Sequence, residues 1–144
     1  MSIWTRDFTI EGFAAAHADT LPGLLGLRLT EVGPDYVRGE MPVDERHVQP
    51  YGILHGGGSV VVTETMGSFA GAMAAPPGHR VVGVEVNANH LAPVRKGDMV
   101  TALCRPIRLG RTLQVWEIEL RRGDGTLTCV SRLTTAVQPI REGG

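Results

Sequence analysis

The run Gln49-Pro50-Tyr51-Gly52-Ile53-Leu54-His55-Gly56-Gly57-Gly58, followed by Glu64 and Ser68, holds the residues whose types and spacing suit chemistry. Three successive glycines at a helix start leave backbone N–H groups unshielded, with the positive end of the helix dipole behind them. Such amides hold an anion, or the oxyanion of an acyl-transfer transition state. Tight packing of the helix start against a strand would demand the same glycines. Glu64 stands in the middle of an apolar segment, where an unpaired carboxylate is costly. It needs a structural partner, such as an arginine or a backbone amide, or a task as base or nucleophile that a raised pKa would suit. Ser68 falls one turn later on the same face, placed to bond Glu64, a substrate or its own backbone. His55 is a candidate for orienting a carbonyl or for stabilising the loop before the helix.

Gly56 and Glu64 are eight residues apart, about 12 Å along a helix axis. One small reacting group cannot touch both within a single chain. If both act on one carbonyl they come from different subunits, and the site lies across a dimer interface.

Other chemistries fit poorly. No pair of histidines has the spacing of a helix or finger metal site, and no cysteine assists, so no metal is expected. Ser59 is not the nucleophile of a strand-turn-helix elbow, because Val61 stands where that turn needs glycine. No Gly-Lys-Ser/Thr phosphate loop occurs. His90, in Asn87-Ala88-Asn89-His90, is a candidate for a ligand groove, whereas His17, His47 and His79 read as surface or loop residues. Arg105, Arg108 and Arg111 form either a local phosphate patch or a solvated strand face.

The 144 residues suit one domain, 1–144, with no linker, repeat or low-complexity tract. Fourteen basic against fifteen acidic side chains give a charge of −1, so no overall field draws the chain to nucleic acid or an anionic membrane. No stretch approaches the roughly 18 apolar residues of a membrane span, and the N-terminus lacks the basic-then-apolar pattern of a secretory signal. Cys104 and Cys129 have no metal or redox spacing and read as reduced strand residues of a cytoplasmic protein. Nineteen glycines and nine prolines require many turns or close backbone approaches, and with aromatics at 5% the core must be aliphatic.

The elements that must position these residues follow from periodicity. Residues 9–18 read as a short helix with Ile10, Phe13, Ala14 and His17 on one stripe. Residues 27–31 and 36–43 form a hairpin about Gly33-Pro34-Asp35, and 44–54 a loop. Residues 58–75 are apolar or small nearly all round, the signature of a buried helix. Val60, Val61 and Val62 would also suit a strand, but the length of the run and its small residues favour a helix, ended by Ala75-Pro76-Pro77-Gly78. Residues 80–91, 99–109, 111–122 and 127–137 are extended, separated by Lys96-Gly97-Asp98, Gly110 and Gly123-Asp124-Gly125. Gln114, Trp116, Ile118 and Leu120 share one face and Glu117, Glu119 and Arg121 the other, as in an antiparallel sheet buried on one side. The fold class is α+β, a curved antiparallel sheet wrapped around one long central helix. Its bare edges predict an oligomer.

Gln49-Pro50-Tyr51-Gly52-x-Leu54-His55-Gly56-Gly57, with Glu64 and Ser68, resembles the signature of hotdog-fold acyl-CoA thioesterases, in the 4-hydroxybenzoyl-CoA thioesterase subgroup that uses a helix glutamate. Ile3-Trp4, Met41-Pro42-Val43-Asp44, Val82-Gly83-x-Glu85-x-Asn87-Ala88-Asn89-His90, Gln114-Val115-Trp116 and Ser131-Arg132-Leu133-Thr134-Thr135 extend the likeness over nearly the whole chain. They resemble the branch holding 1,4-dihydroxy-2-naphthoyl-CoA thioesterases and enterobactin proofreading thioesterases. The resemblance implies hydrolysis of an aromatic or otherwise bulky acyl-CoA to the free acid and coenzyme A. Glu64 would attack the thioester carbonyl or activate water, and the Gly56 N–H would form the oxyanion hole. Gln49 and His55 would position the thioester or the water, and Ser68 would sit beside the acyl ring. Gly83, His90, Leu91, Ala92, Pro93, Arg108, Gly110, Arg111 and Thr112 would line the coenzyme A channel. Leu91-Ala92-Pro93 stands where relatives often carry an arginine soon after the histidine, and Arg111 where a serine can occur.

The family places Gln49 and Gly56 in one subunit and Glu64 and Ser68 in the other, in agreement with the spacing. A homodimer with composite sites, paired into a dimer of dimers, is therefore implied. No metal or organic cofactor is implied, since coenzyme A belongs to the substrate and water is the co-substrate. Three alternatives stand beside this reading: proofreading hydrolysis of aryl thioesters on an acyl carrier protein, a dehydratase on the same fold, and a non-catalytic acyl-CoA sensor. Glu64, the intact glycines and the absence of a DNA-binding segment weigh against the sensor.

Overall fold

In the computed structural model, which describes residues 1–143, two short helices, α1 (Ile10–His17) and α2 (Leu21–Leu24), precede the strands β1 (Arg28–Val32) and β2 (Val37–Pro42). A loop leads into the long helix α3 (Gly56–Ala74), after which come β3 (His79–His90), β4 (Met99–Leu109), β5 (Leu113–Arg121) and β6 (Leu127–Pro139). The six strands form one antiparallel sheet in the order β1-β2-β4-β5-β6-β3. Register shifts at Leu29/Glu31, Gly83/Glu85, Pro106/Arg108 and Leu120/Arg121 add twist and bend, and the sheet curls around α3. The α+β arrangement expected from the sequence is the one observed.

A helix apolar nearly all round must be buried on most sides, and α3 is. Val62, Met66 and Ala70 meet the inner face of the sheet, where Val100, Cys104, Trp116, Ile118, Leu120 and Leu133 are buried. Gly67 and Gly71 bring the backbones close: a Cβ at Gly67 would lie 2.6 Å from Leu133 Cδ2, and one at Gly71 would lie 2.6 Å from Gln114 Oε1. Two buried polar clusters then fix the helix in rotation. The Thr63 hydroxyl meets Ser131 Oγ at 2.7 Å, and Ser131 donates to the Ile118 carbonyl at 2.7 Å. Gln114 donates to the Gly71 carbonyl at 3.3 Å, while its Oε1 accepts from Trp116 Nε1 and the Thr135 hydroxyl, each at 3.1 Å.

The N-terminal segment covers the open side of α3. Trp4 stacks on Trp116 with centroids 6.3 Å apart and donates to the Gly33 carbonyl at 2.7 Å. Phe69 receives Phe8 and Phe13 edge-on at 4.3 and 4.8 Å. Only Phe13 of the expected α1 stripe is buried, since Ile10 and Ala14 face outward. Cys104 and Cys129 are free, and burial pushes both thiols up, away from thiolate reactivity.

The boundaries differ in two instructive places. α3 begins at Gly56 rather than Gly58, because the His55 side chain caps it. α2 has no counterpart in the sequence reading: four residues containing Pro22 and Gly23 carry no periodic signal. The β3 edge is bare along its twelve residues, with Val82 and Val84 exposed.

Gly67→Ala is expected to destabilise the fold. Its helix-propensity gain of about 0.5–1 kcal/mol is outweighed by the collision with Leu133, whose Cβ would also be only 3.0 Å away, at a cost of about 1–3 kcal/mol. The urea denaturation midpoint should fall accordingly.

Candidate active site

The loop before α3 is built as a small hairpin. Gln49 and Ile53 are joined by a 2.9 Å backbone bond, and the Gly52 N–H donates to the Gln49 carbonyl at 2.9 Å. Gly52 closes the turn at φ 78°, a conformation that favours glycine. His47 anchors it from beneath. His47 reads in the sequence as a surface or loop residue; it lies in the loop, and its side chain is fully enclosed. Nε2 donates to the Leu25 carbonyl at 2.6 Å, and Nδ1 accepts the Asp44 N–H at 3.0 Å. The Asp44 carboxylate also approaches Nδ1 to 3.0 Å, but the backbone N–H has the hydrogen-bonding alignment. The His47 carbonyl accepts the His55 N–H at 2.8 Å, and the Leu54 N–H donates to Val94 at 2.7 Å.

His55 then starts the helix. Its backbone is extended (φ −62°, ψ 133°), and Nδ1 accepts the Gly57 N–H at 2.8 Å. In the neutral ring the proton therefore lies on Nε2, which remains a donor. The Gly58 N–H donates to the His55 carbonyl at 2.8 Å. Of the three glycine amides, only that of Gly56 meets no acceptor among the described residues. Close packing accompanies it: a Cβ at Gly56 would stand 2.9 Å from His90 Nε2, and one at Gly58 2.9 Å from Leu54 Cδ1. Both features that the glycine run suggested, bare amide and close approach, are present together.

Gly56 opens on a groove of about 520 Å³ that it shares with Gln49, His90, Leu91, Ala92 and Pro93. Glu64 opens on a different one, of about 500 Å³, lined also by Ser68, His17, Thr20 and Phe69. An apolar hollow of about 360 Å³, walled by Leu21, Pro22, Val60 and Val61, adjoins Glu64. Glu64 is half-buried, and among the described residues no arginine or amide pairs with it. No hydrogen bond joins it to Ser68. A Cβ at Gly83 would collide with Glu64 Oε1, so the carboxylate lies over bare backbone of the edge strand, next to the bulge at Val84.

The β4–β5 turn with Arg108, Gly110, Arg111 and Thr112 borders neither groove within the chain. Arg105 lies over the Tyr36 ring, 5.9 Å from its centroid, which suits a solvated face rather than a phosphate patch. His17, read as a surface or loop residue, ends α1 and is half-buried in the Glu64 groove. Among the described residues no cluster of three histidine, cysteine or acidic side chains could hold a metal. No helix is long and apolar enough to cross a membrane. Neither His47 nor the Gly83–Glu64 contact carried a sequence signal, because the partners are 22 and 19 residues distant.

The description "Thioesterase superfamily" belongs to the family model that matches residues 51–129. The chain is 44% identical over 135 residues to a 1,4-dihydroxy-2-naphthoyl-CoA hydrolase of Escherichia coli, covering 94% of this chain and 98% of the relative. It is also 44% identical to the proofreading thioesterase EntH of Cronobacter turicensis, with the same coverage. Among solved structures, a thioesterase from Haemophilus influenzae superposes with a TM-score of 0.94 at 43% identity, covering 99% of both chains.

The loop should fail in two separable ways. His47→Leu strands the Leu25 carbonyl and the Asp44 N–H and should lower stability by about 2 kcal/mol, read from thermal unfolding. Arg46, whose guanidinium and backbone N–H both donate to Asp44, holds the Asp44 carboxyl well below its ordinary 3.8. A depressed carboxyl contributes stability above its unfolded value and loses it as pH falls below that value. Asp44→Asn should flatten the decline in Tm below about pH 4.

Proposed function

Because the chain belongs to the thioesterase superfamily and is a thioester hydrolase of hotdog fold, we propose that it cleaves an acyl-CoA with an aromatic or otherwise bulky acyl group in a site shared by two subunits. The observation that carries this reading is the pairing, on one helix, of an amide and a carboxylate that the chain itself leaves unused. Among the described residues the Gly56 N–H has no acceptor and Glu64 has no partner, and the two open on separate grooves.

The bare β3 edge supplies the means to bring them together. Gly83, against Glu64, and His90, against Gly56, both lie on this strand. An antiparallel pairing of two β3 strands centred between Val86 and Asn87 sets Gly83 opposite His90 of the partner subunit. The Glu64 groove of one subunit then abuts the Gly56 groove of its partner.

In such a site the thioester carbonyl accepts from the Gly56 N–H, which faces the charge that develops on oxygen. Glu64 either takes a proton from the attacking water and returns it to the departing thiolate, or attacks the carbonyl carbon to give a mixed anhydride that water then hydrolyses, supplying the proton and freeing the carboxylate. The C–S bond breaks, coenzyme A leaves as the thiol after protonation, and the acid is released. Gln49 and His55 orient the thioester or the water, the latter through its Nε2–H, and Ser68 borders the acyl group. His90 with Leu91, Ala92 and Pro93, Gly83, and Arg108 through Thr112 guide the coenzyme A. A carboxylate, an amide and water suffice, without a metal or organic cofactor.

The apolar strip of Val82, Ala136 and Leu113 across the outer face suits pairing of such dimers into a homotetramer. Two free thiols fit a cytoplasmic setting. Likeness to a proofreading thioesterase supports a second carrier for the same chemistry, an acyl group on a carrier protein. Parallel assays of matched coenzyme A and carrier-protein thioesters distinguish the two.

Glu64→Gln should slow hydrolysis of the best aryl-CoA substrate at least about a hundredfold. Gly56→Pro removes the N–H at a helix position that accepts proline, after a residue already extended. Relative to Gly56→Ala, which keeps the N–H, it should lower kcat about a hundredfold. Mixed dimers of Glu64→Gln and Gly56→Pro chains rebuild one intact site each, so random mixing should restore about a quarter of wild-type activity. Activity that stays at the level of the separate variants would sink the shared site.

A further inference from the structure

One side chain lining the Glu64 groove has a ring nitrogen without a partner among the described residues. His17, the last residue of α1, lines the same groove as Glu64 and Ser68. Its ring is held from two sides. Nδ1 lies 2.8 Å from the Phe13 carbonyl, and a carbonyl only accepts, so Nδ1 carries a proton. The ring also stacks on Phe13, with centroids 4.1 Å apart and planes 27° from parallel. Phe13 in turn meets Phe69 of α3 edge-on at 4.8 Å. This chain of three rings fixes His17 relative to the helix that bears Glu64.

In the neutral ring so defined, Nε2 keeps its lone pair and is an acceptor. Among the described residues nothing donates to it. The neighbouring Thr20 hydroxyl is already committed, donating to the His17 carbonyl at 2.8 Å. The groove runs along α3 from Glu64 past Ser68 to Ala72, about 12 Å of helix. Its volume of about 500 Å³ is that of a small-molecule site. A group whose reacting carbonyl lies at Glu64 therefore extends its far end along a wall to which His17, with Nε2 uncommitted, contributes.

We propose that His17 is a specificity-determining residue: its Nε2 accepts a hydrogen bond from a hydroxyl on the acyl group and so favours hydroxylated over unsubstituted rings. This rests on the assignment of Glu64 to the reacting carbonyl. A site that offers an acceptor discriminates against the analogue lacking the hydroxyl, because the acceptor is then left dry and unpaired.

The test compares benzoyl-CoA with its three monohydroxy derivatives. Wild type should favour one hydroxy derivative by about tenfold in kcat/KM. His17→Phe keeps a ring to stack on Phe13 and loses the acceptor, and should bring that ratio to within about twofold. His17→Leu gives the same readout if the phenyl ring disturbs α1, with circular dichroism and Tm reporting the fold. His17→Gln, whose amide oxygen accepts, should restore part of the preference. A preference retained in the Phe and Leu variants, or absent from wild type, overturns the role of His17 and leaves the hydrolase reading intact. Hydrolysis of none of the four thioesters by wild type overturns the role of His17 and counts against a benzoyl-type acyl group.

Discussion

The close approach of α3 to the sheet is the constraint from which the site follows. Gly67 and Gly71 remove the side chains that would hold the helix away from Leu133 and Gln114. The Thr63–Ser131 and Gln114–Gly71 bonds then lock its rotation. With rotation fixed, the buried face is spent on the core, and Glu64 and Ser68 are turned to a groove. A polar lock inside an apolar interface is sensitive to geometry, since each unpaired group is costly. Here every member of both clusters has a partner, which makes the helix a rigid mount rather than a sliding one.

The N-terminal end of that mount is finished by histidines. His55 uses one ring nitrogen to satisfy Gly57, and its carbonyl satisfies Gly58. The one amide left over lies at the first position of the helix, where the dipole is strongest. Beneath it, His47 ties the loop to residues on either side through both ring nitrogens. The loop thus carries an unused donor on a framework with little freedom, which is the preorganisation an oxyanion requires.

Much of this was legible in the residues, for physical reasons that are specific. Glu64 stood out because a carboxylate in an all-round apolar helix is anomalous, and the glycine run because three bare amides in series are rare. Alternation exposed Gln114, Trp116, Ile118 and Leu120 as the inner face, and the strands followed with small shifts at their ends. His47 was not legible, because a histidine in a polar loop reads alike whether it is solvated or buried, and its acceptor Leu25 is fixed only by tertiary packing. The same holds for His17, whose place beside Glu64 depends on α2 turning the chain back, and α2 is too short to show a period. The separation of Gly56 from Glu64 could be computed from helix rise alone, but which groove each faces required the coiling of the sheet.

The bulge at Val84 bears on how the bare edge meets other polypeptides. Twelve residues of open edge would template any extended polypeptide, including unfolded neighbours at the ribosome. The extra residue interrupts the regular repeat of donors and acceptors along that edge, and Glu85 beside it adds charge. A straight foreign strand therefore mismatches after a few residues. The distortion beside the Glu64 carboxylate thus also makes the open edge a poorer template for foreign strands.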